Sequence, residues 1–375
     1  MPPIALVHQG SFFDRDNDCL STCYGELVVA ANKNQHFIPQ YYFRFFNEGG
    51  DHISLLLRHD GRTIGRAPIR GQSSKSYFYG DADVEKKVTE IESKFIAPLR
   101  RIRALKNLST LSREDHELLV QAVVFQRTRT VASRIDNQPM ADHLFRLQVE
   151  VDINTNSDLT EEEREELRGL LPKLSMGAEA FQGMLMALSV QHAHSLLDLD
   201  VVLVKNKTAR PFIFGDAPVV FTNPAQKKIT YRGVLGTKSP GLIAYYPIGP
   251  FEAIMLIDPV MYNVKGVREG LLNVRSLQDV AQLNKLQIHA SRFSVYFNDH
   301  KYSDYVKYLW ADVGAGSVEA RGVVKEIKID DNRELVHNYE CQLSFFPVLT
   351  FLRFVEVPAD SNFVDRAMYF SGQHA

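Results

Sequence analysis

The stretch HFIPQYYFRFFN, His36 to Asn47, decides how the chain is read: His36, Gln40 and Arg44 stand four residues apart among six aromatics. Pro39 suits the first turn of a helix, where the N–H it lacks would have no partner, so the pattern predicts a helix opening there. On that helix Gln40 and Arg44 lie one turn apart on one face, and His36 sits at or just before the cap above them. The aromatics are candidates for a packed frame, although rings of this kind also stack on bases. Other segments must supply whatever completes the polar face.

With 375 residues, 45% hydrophobic and 23% charged, the chain has ordinary globular composition and length for one large domain or two. No apolar run approaches the ~20 residues that a bilayer requires, and the N-terminus lacks a basic-then-apolar signal pattern. The expectation is a cytoplasmic protein with no membrane partner. Cys19, Cys23 and Cys341 are an odd set without disulfide spacing, which fits a reducing compartment. Cys19 and Cys23 could share a helix face but lack the second pair of a zinc site. A net charge of −2 excludes a surface that grips nucleic acid all over and leaves only local polyanion contact.

Periodicity does not decide the structure of residues 1–34. Gly49-Gly50 suits the end of the opening helix. Runs at 53–57 and 63–67 flank Asp60-Gly61, a hairpin signal. After Tyr77-Phe78-Tyr79-Gly80 comes a helix of about twenty residues, acidic at its start and basic at Arg100, Arg101, Arg103 and Lys106, an order that matches the helix dipole. Pro98 predicts a kink in it, and Glu92 flanks its apolar stripe, where a carboxylate is half buried. Ser112-Arg-Glu-Asp115 reads as a capping box opening a helix to about Ser133, on which Gln126 and Arg129 share a face. Further helices are expected at 140–151, 160–171 and 176–197.

From Asp200 the pattern turns to strands, at 201–204, 212–214, 219–221, 242–246, 253–257 and 293–297, with one helix at 276–291 capped by Ser276. A strand near 323–329 is expected to join the same sheet, and Phe345, Phe346, Phe351 and Phe354 to pack back on the core. The predicted fold class is α+β, with a helical middle and a mostly antiparallel late sheet. The shift near Leu199 separates 1–199, mainly helical with an N-terminal hairpin, from 200–375, β-rich and either separate or packed with the first as one domain.

The block His36-Phe-Ile-Pro-Gln40-Tyr-Tyr-Phe-Arg44-Phe45-Phe46 resembles the opening H-[YF]-[VI]-P-Q-x-[YF]-L-R-x-F of the uncharacterised bacterial and fungal domain-of-unknown-function family 4238. Tyr77-Phe78-Tyr79, Ile91-Glu92, Gln126-Arg127-Thr128-Arg129-Thr130 and Gly215-Asp216-Ala217-Pro218-Val219 are similar to its later blocks, in order. Tyr246-Pro247-Ile248-Gly249-Pro250 and Leu283-Asn284 extend the likeness, which covers about positions 36–297. Gly215 and Gly249 stand where the family more often has Ser or Thr. The resemblance implies a recurring polar set and carries no activity.

That set is His36, Gln40, Arg44, Glu92, Gln126, Arg129, Asp216 and Asn284. His36, Glu92 and Asp216 are the catalytic candidates, as general acids and bases or as ligands of a divalent metal, Mg²⁺ or Mn²⁺; the cofactor is left open. Arg44 and Arg129 offer the planar fork that suits phosphate, and Gln40, Gln126 and Asn284 would orient substrate or water. No nucleophile elbow, P-loop, Rossmann fingerprint or zinc helix is present. The mixture points to a hydrolase of nuclease-like or nucleotide-directed phosphodiester chemistry, acting on nucleic acid or nucleotides, as a toxin or phage-defence effector would. The alternative is a non-catalytic interaction or regulatory protein in which the same residues form a buried structural lock. His192 and His194, two apart on an expected helix, point away from each other and read as structural.

Overall fold

The structure is a computed structural model that describes residues 34–355, except 48, 81, 230–232, 317–318 and 331–332. Cys19 and Cys23, and the undecided residues before Asn34, lie outside the described residues.

The chain enters on a short strand, β1 (Asn34–His36), and Pro39, extended at φ −67° and ψ 147°, caps α1 (Gln40–Phe46). The Asp60-Gly61 turn joins β2 (His52–Leu57) to β3 (Thr63–Pro68) as an antiparallel pair, and β4 (Ser74–Ser76) turns back to pair with β1. The helical middle follows as α2 (Ala82–Ala104), α3 (Arg113–Thr128), α4 (Val131–Thr155), α5 (Glu161–Leu170) and α6 (Ala178–Gln191). Helix α2 continues through Pro98.

Two boundaries differ from expectation. The helix opened by Ser112 stops at Thr128, because Thr130, extended at ψ 161°, accepts the N–H of Ser133 and starts a new helix that runs unbroken to Thr155. A threonine hydroxyl that serves as an N-cap resets the backbone where apolar periodicity alone would carry it on. The expected 176–197 helix ends at Gln191, and Ala193–Leu196 form a 3-10 turn.

The late region holds β5 (Asp200–Asn206), β6 (Phe214–Gly215), β7 (Val220–Thr222), β8 (Ile243–Pro247), β9 (Glu252–Ile257), β10 (Tyr262–Val264) and β11 (Leu271–Val274). Then come α7 (Leu277–Ala290), β12 (Ser294–Phe297), α8 (Ser303–Val313), β13 (Gly322–Asp330), β14 (Arg333–Glu340) and β15 (Leu352–Phe354). One sheet has the order β11-β5-β9-β8-β7, antiparallel except at β11-β5; the other, β3-β2-β12-β6, is antiparallel throughout. The fold class is therefore α+β.

Strand β13 pairs with β14 alone and does not enter either large sheet. Charge explains its place: Asp136 on α4 binds Arg292 and Arg321, and Arg127 on α3 pairs with Glu340 at the end of β14, so ion pairs anchor the hairpin to the helices. Phe351 joins the core beside Leu349, whereas Phe354 stays 56% exposed against Tyr262.

The largest core spans both halves of the sequence. Tyr42, Phe43 and Phe46 of α1 meet Phe214 of β6 and Tyr296 of β12, and Tyr42 stacks on Tyr246 of β8 with centroids 5.3 Å apart. Two further clusters lie on either side of α7: Val280, Leu283 and Leu286 pack toward the five-stranded sheet, Ile288 toward β12 and α8. Burying one such aromatic contributes about 1.5–3 kcal/mol, so α1 is seated firmly before any polar contact is counted.

Candidate functional site

His36 ends β1, in register with Ser74 of β4, and its Nδ1 lies 3.1 Å from the Gln72 carbonyl. A carbonyl only accepts, so the ring carries its proton on Nδ1, and the Nε2 lone pair accepts from the Gln40 amide at 3.1 Å. Gln40 Oε1 in turn accepts from Arg44 Nη2 at 3.1 Å. The result is a directed chain, Arg44 to Gln40 to His36 to Gln72, rising from solvent: the Arg44 side chain is 41% exposed and meets exposed Asp51 at 3.8 Å. Burial pushes the His36 pKa below its ordinary 6.5; the bond to the Gln72 carbonyl opposes the shift and the Arg129 charge reinforces it. The ring is neutral at pH 7 and keeps a basic nitrogen toward the rim.

Beneath this rim the remaining polar residues close on the protein itself. Gln126, 4% exposed, donates to the Phe37 carbonyl at 3.1 Å. Arg129 terminates α3 with its side chain 2% exposed; Nε donates to Tyr79 Oη at 3.0 Å, Nη2 to the His36 carbonyl, and Nη1 pairs with Glu92. Its guanidinium also lies 5.7 Å from the Tyr79 ring centroid and 5.5 Å from that of Phe125. One side chain thus ties β1, the 77–80 turn, α2 and α3 together. Breaking such a pair by removing one partner costs about 3–5 kcal/mol, because the other charge stays behind unpaired.

Asp216 and Asn284 make their bonds elsewhere. Both Asp216 oxygens accept backbone N–H groups, from Arg292 at 2.8 Å, Phe293 at 2.6 Å and Ser294 at 3.1 Å, which pins the start of β12 against β6. Burial raises its pKa and the three N–H donors oppose the rise. Asn284, fully buried on α7, accepts from Ile213 N at 3.0 Å and donates to the Pro211 carbonyl at 2.9 Å. Gln287 repeats the device one turn on, with Gly215 N at 3.0 Å and the Pro218 carbonyl at 2.9 Å. Six of the eight candidates therefore meet around α1. Among the described residues no three His, Cys, Asp or Glu side chains are grouped to hold a metal, so His36, Glu92 and Asp216 do not form such a set.

The two glycines that depart from the resembled pattern have close neighbours. A Cβ on Gly215 would fall 1.8 Å from Ser291 Oγ, and one on Gly249 would fall 2.7 Å from Glu252 Oε2. A serine at Gly215 fits only if Ser291 moves. His192 caps α6, and its ring centroid stands 6.0 Å from that of His194 on the following turn.

Sequence reasoning passed over four participants. Tyr79 receives Arg129, and Gln35 accepts the Tyr79 N–H at 2.5 Å. Tyr41, pushed up to about 12 by burial, and Glu85, raised by burial against the pull of Arg129, share the surroundings of that guanidinium. Glu85 had a signal, since it precedes Glu92 by seven residues and so lies on the same helix face.

The model of a family described as protein of unknown function (DUF4238) matches residues 34–301. No curated protein and no solved structure matches the chain.

Proposed function

The chain belongs to the DUF4238 family, whose description names no activity, and from the chemistry of the rim we propose that it is a hydrolase of phosphodiester bonds in nucleic acid or nucleotides. The observation that supports this reading is the setting of His36: its Nδ1–H is fixed on a main-chain carbonyl, its ring is kept neutral by burial, and its Nε2 faces an exposed arginine through an amide. A fixed orienting bond on one nitrogen, with the other held only by an amide that can move off it, is what a general base needs. When the Gln40 amide yields to substrate, Nε2 takes a proton from the attacking water. The water oxygen bonds to phosphorus, the bond to the leaving sugar oxygen breaks, and solvent at the open rim protonates that oxygen. Arg44 neutralises the non-bridging oxygens. Arg129, Glu92 and Gln126 keep the frame rigid without touching substrate.

The proposal is tested by incubating the purified chain with labelled RNA, DNA and nucleotides. Cleavage by the native chain that His36→Asn abolishes supports it, and no cleavage of any of the three removes it. A toxin or phage-defence role adds the expectation that induced expression arrests growth and that His36→Asn does not. A second reading, an interaction protein held by a structural lock, draws on the bonds that Gln126, Arg129, Asp216 and Asn284 make to distant main-chain groups of the protein itself. It predicts no turnover and a loss of stability in every variant of the set, His36 included.

A further inference from the structure

The segment Gly61 to Gly80, GRTIGRAPIRGQSSKSYFYG, holds Arg62, Arg66, Arg70 and Lys75 and no Asp or Glu, within a chain of net charge −2. It runs along β3, the outer strand of its sheet, through a 3-10 turn at Ile69–Gly71 and into β4, and all four cations are exposed. Among the described residues Arg66, Arg70 and Lys75 form no ion pair with a carboxylate, and Arg62 reaches Asp60 only at 3.8 Å.

Two further observations point to a ligand. Tyr77 is 54% exposed on a left-handed backbone, φ 53°, and Ser73 on the other side of β4 has φ 47°. Non-glycine residues in this region are uncommon and cluster at functional sites; Ser73 is held inward by a hydroxyl bond to Tyr296, whereas Tyr77 is turned out to solvent. Lys75 Nζ lies 5.9 Å from the ring centroid of Phe293, itself 42% exposed. The segment also leads into the rim, since its Gln72 carbonyl holds His36 Nδ1 and its Ser74 pairs with His36.

We propose that residues 62–77 form a track for single-stranded nucleic acid, with Arg62, Arg66, Arg70 and Lys75 on phosphates spaced along the strand and Tyr77 and Phe293 as stacking platforms. The track rests on the reading of the rim as a phosphodiester site and names its substrate as a polymer. Cations interleaved with single exposed rings suit a flexible strand whose bases stack one at a time. A membrane surface calls instead for a helix with a continuous apolar face, which a strand edge does not present.

The test is fluorescence anisotropy of the full chain with labelled oligo-U and oligo-dT of about 20 nucleotides across about 50–200 mM salt. Four phosphate contacts predict a log affinity against log salt slope of about −3 for single strands. Arg66→Gln/Arg70→Gln/Lys75→Gln should weaken binding at least about tenfold and flatten the slope by about 2, with an unchanged melting temperature. Tyr77→Leu should weaken binding roughly tenfold and leave the slope as it is. Absence of binding at about 50 mM salt, a triple variant that binds equally well, or a preference for phosphatidylserine vesicles over either oligonucleotide overturns the track. Binding without cleavage would remove the proposed hydrolase and keep the track; cleavage that ignores the triple variant would do the reverse.

Discussion

Replacing Arg129 by methionine keeps most of the volume and removes the charge from a side chain that is 2% exposed. Glu92, 16% exposed, is then left with a carboxylate that solvent reaches only in part, and Tyr79 Oη and the His36 carbonyl lose their donor. An orphaned buried partner costs about 3–5 kcal/mol; partial exposure of Glu92 sets the ion at the lower end, and the two lost hydrogen bonds add about 1 kcal/mol each. The expected loss is about 4–5 kcal/mol. With an m-value of about 3 kcal/mol/M the urea midpoint should fall by about 1.5 M. Far-UV circular dichroism is the assay, because the single tryptophan, Trp310, sits on α8 and reports another part of the fold. Arg129→Met/Glu92→Met should recover about 2 kcal/mol of the loss, since no charge is then stranded. A single variant within about 1 kcal/mol of the native chain, or a double variant no better than the single, would refute the lock.

Asp216→Ala removes the acceptor for three backbone N–H groups and should destabilise by about 3 kcal/mol or more in the same assay, with Asn284→Leu close behind at about 2–3 kcal/mol. Acidity acts on His36 with a definite sign: its folded pKa lies below 6.5, so the stability of the neutral ring is present above that pH and is lost as pH falls through the folded value. Turnover that uses Nε2 as base should show an acid limb with its midpoint below 6.5, read from initial rates of oligonucleotide cleavage.

Local features of the fold were legible because local chemistry makes them. Pro39, the Asp60-Gly61 turn, the caps at Ser112 and Ser276, and the shift to strands after Leu199 each act within a few residues. The break at Thr130 was missed because apolar spacing runs across it, and only a hydroxyl at an N-cap position marks the restart. The separate β13-β14 hairpin depends on Asp136 and Arg127, 185 and 213 residues before their partners, and no local pattern encodes that.

At the site, helical spacing brought Gln40 under His36 and Gln126 beside Arg129. What each side chain bonds to was not readable, since the partners of Arg129 include a main-chain carbonyl and those of Asp216 are three amides more than seventy residues away. Tyr79 offered only an aromatic in a turn, and its hydroxyl matters because Arg129 arrives from another helix. The opening stretch is thus two things in one: Gln40 and Arg44 carry the rim outward, while the backbone of His36 and Phe37 is held from below.

Whether rim and lock are separable is decided by comparing His36→Asn with Gln126→Ala. Each variant is measured for melting temperature and for cleavage of labelled single-stranded RNA and DNA. His36→Asn should melt like the native chain and cleave neither, while Gln126→Ala, having left the Phe37 carbonyl unpaired, should lose about 1–3 kcal/mol of stability. A His36→Asn protein that melts far below the native chain, or one that still cleaves, would contradict that separation.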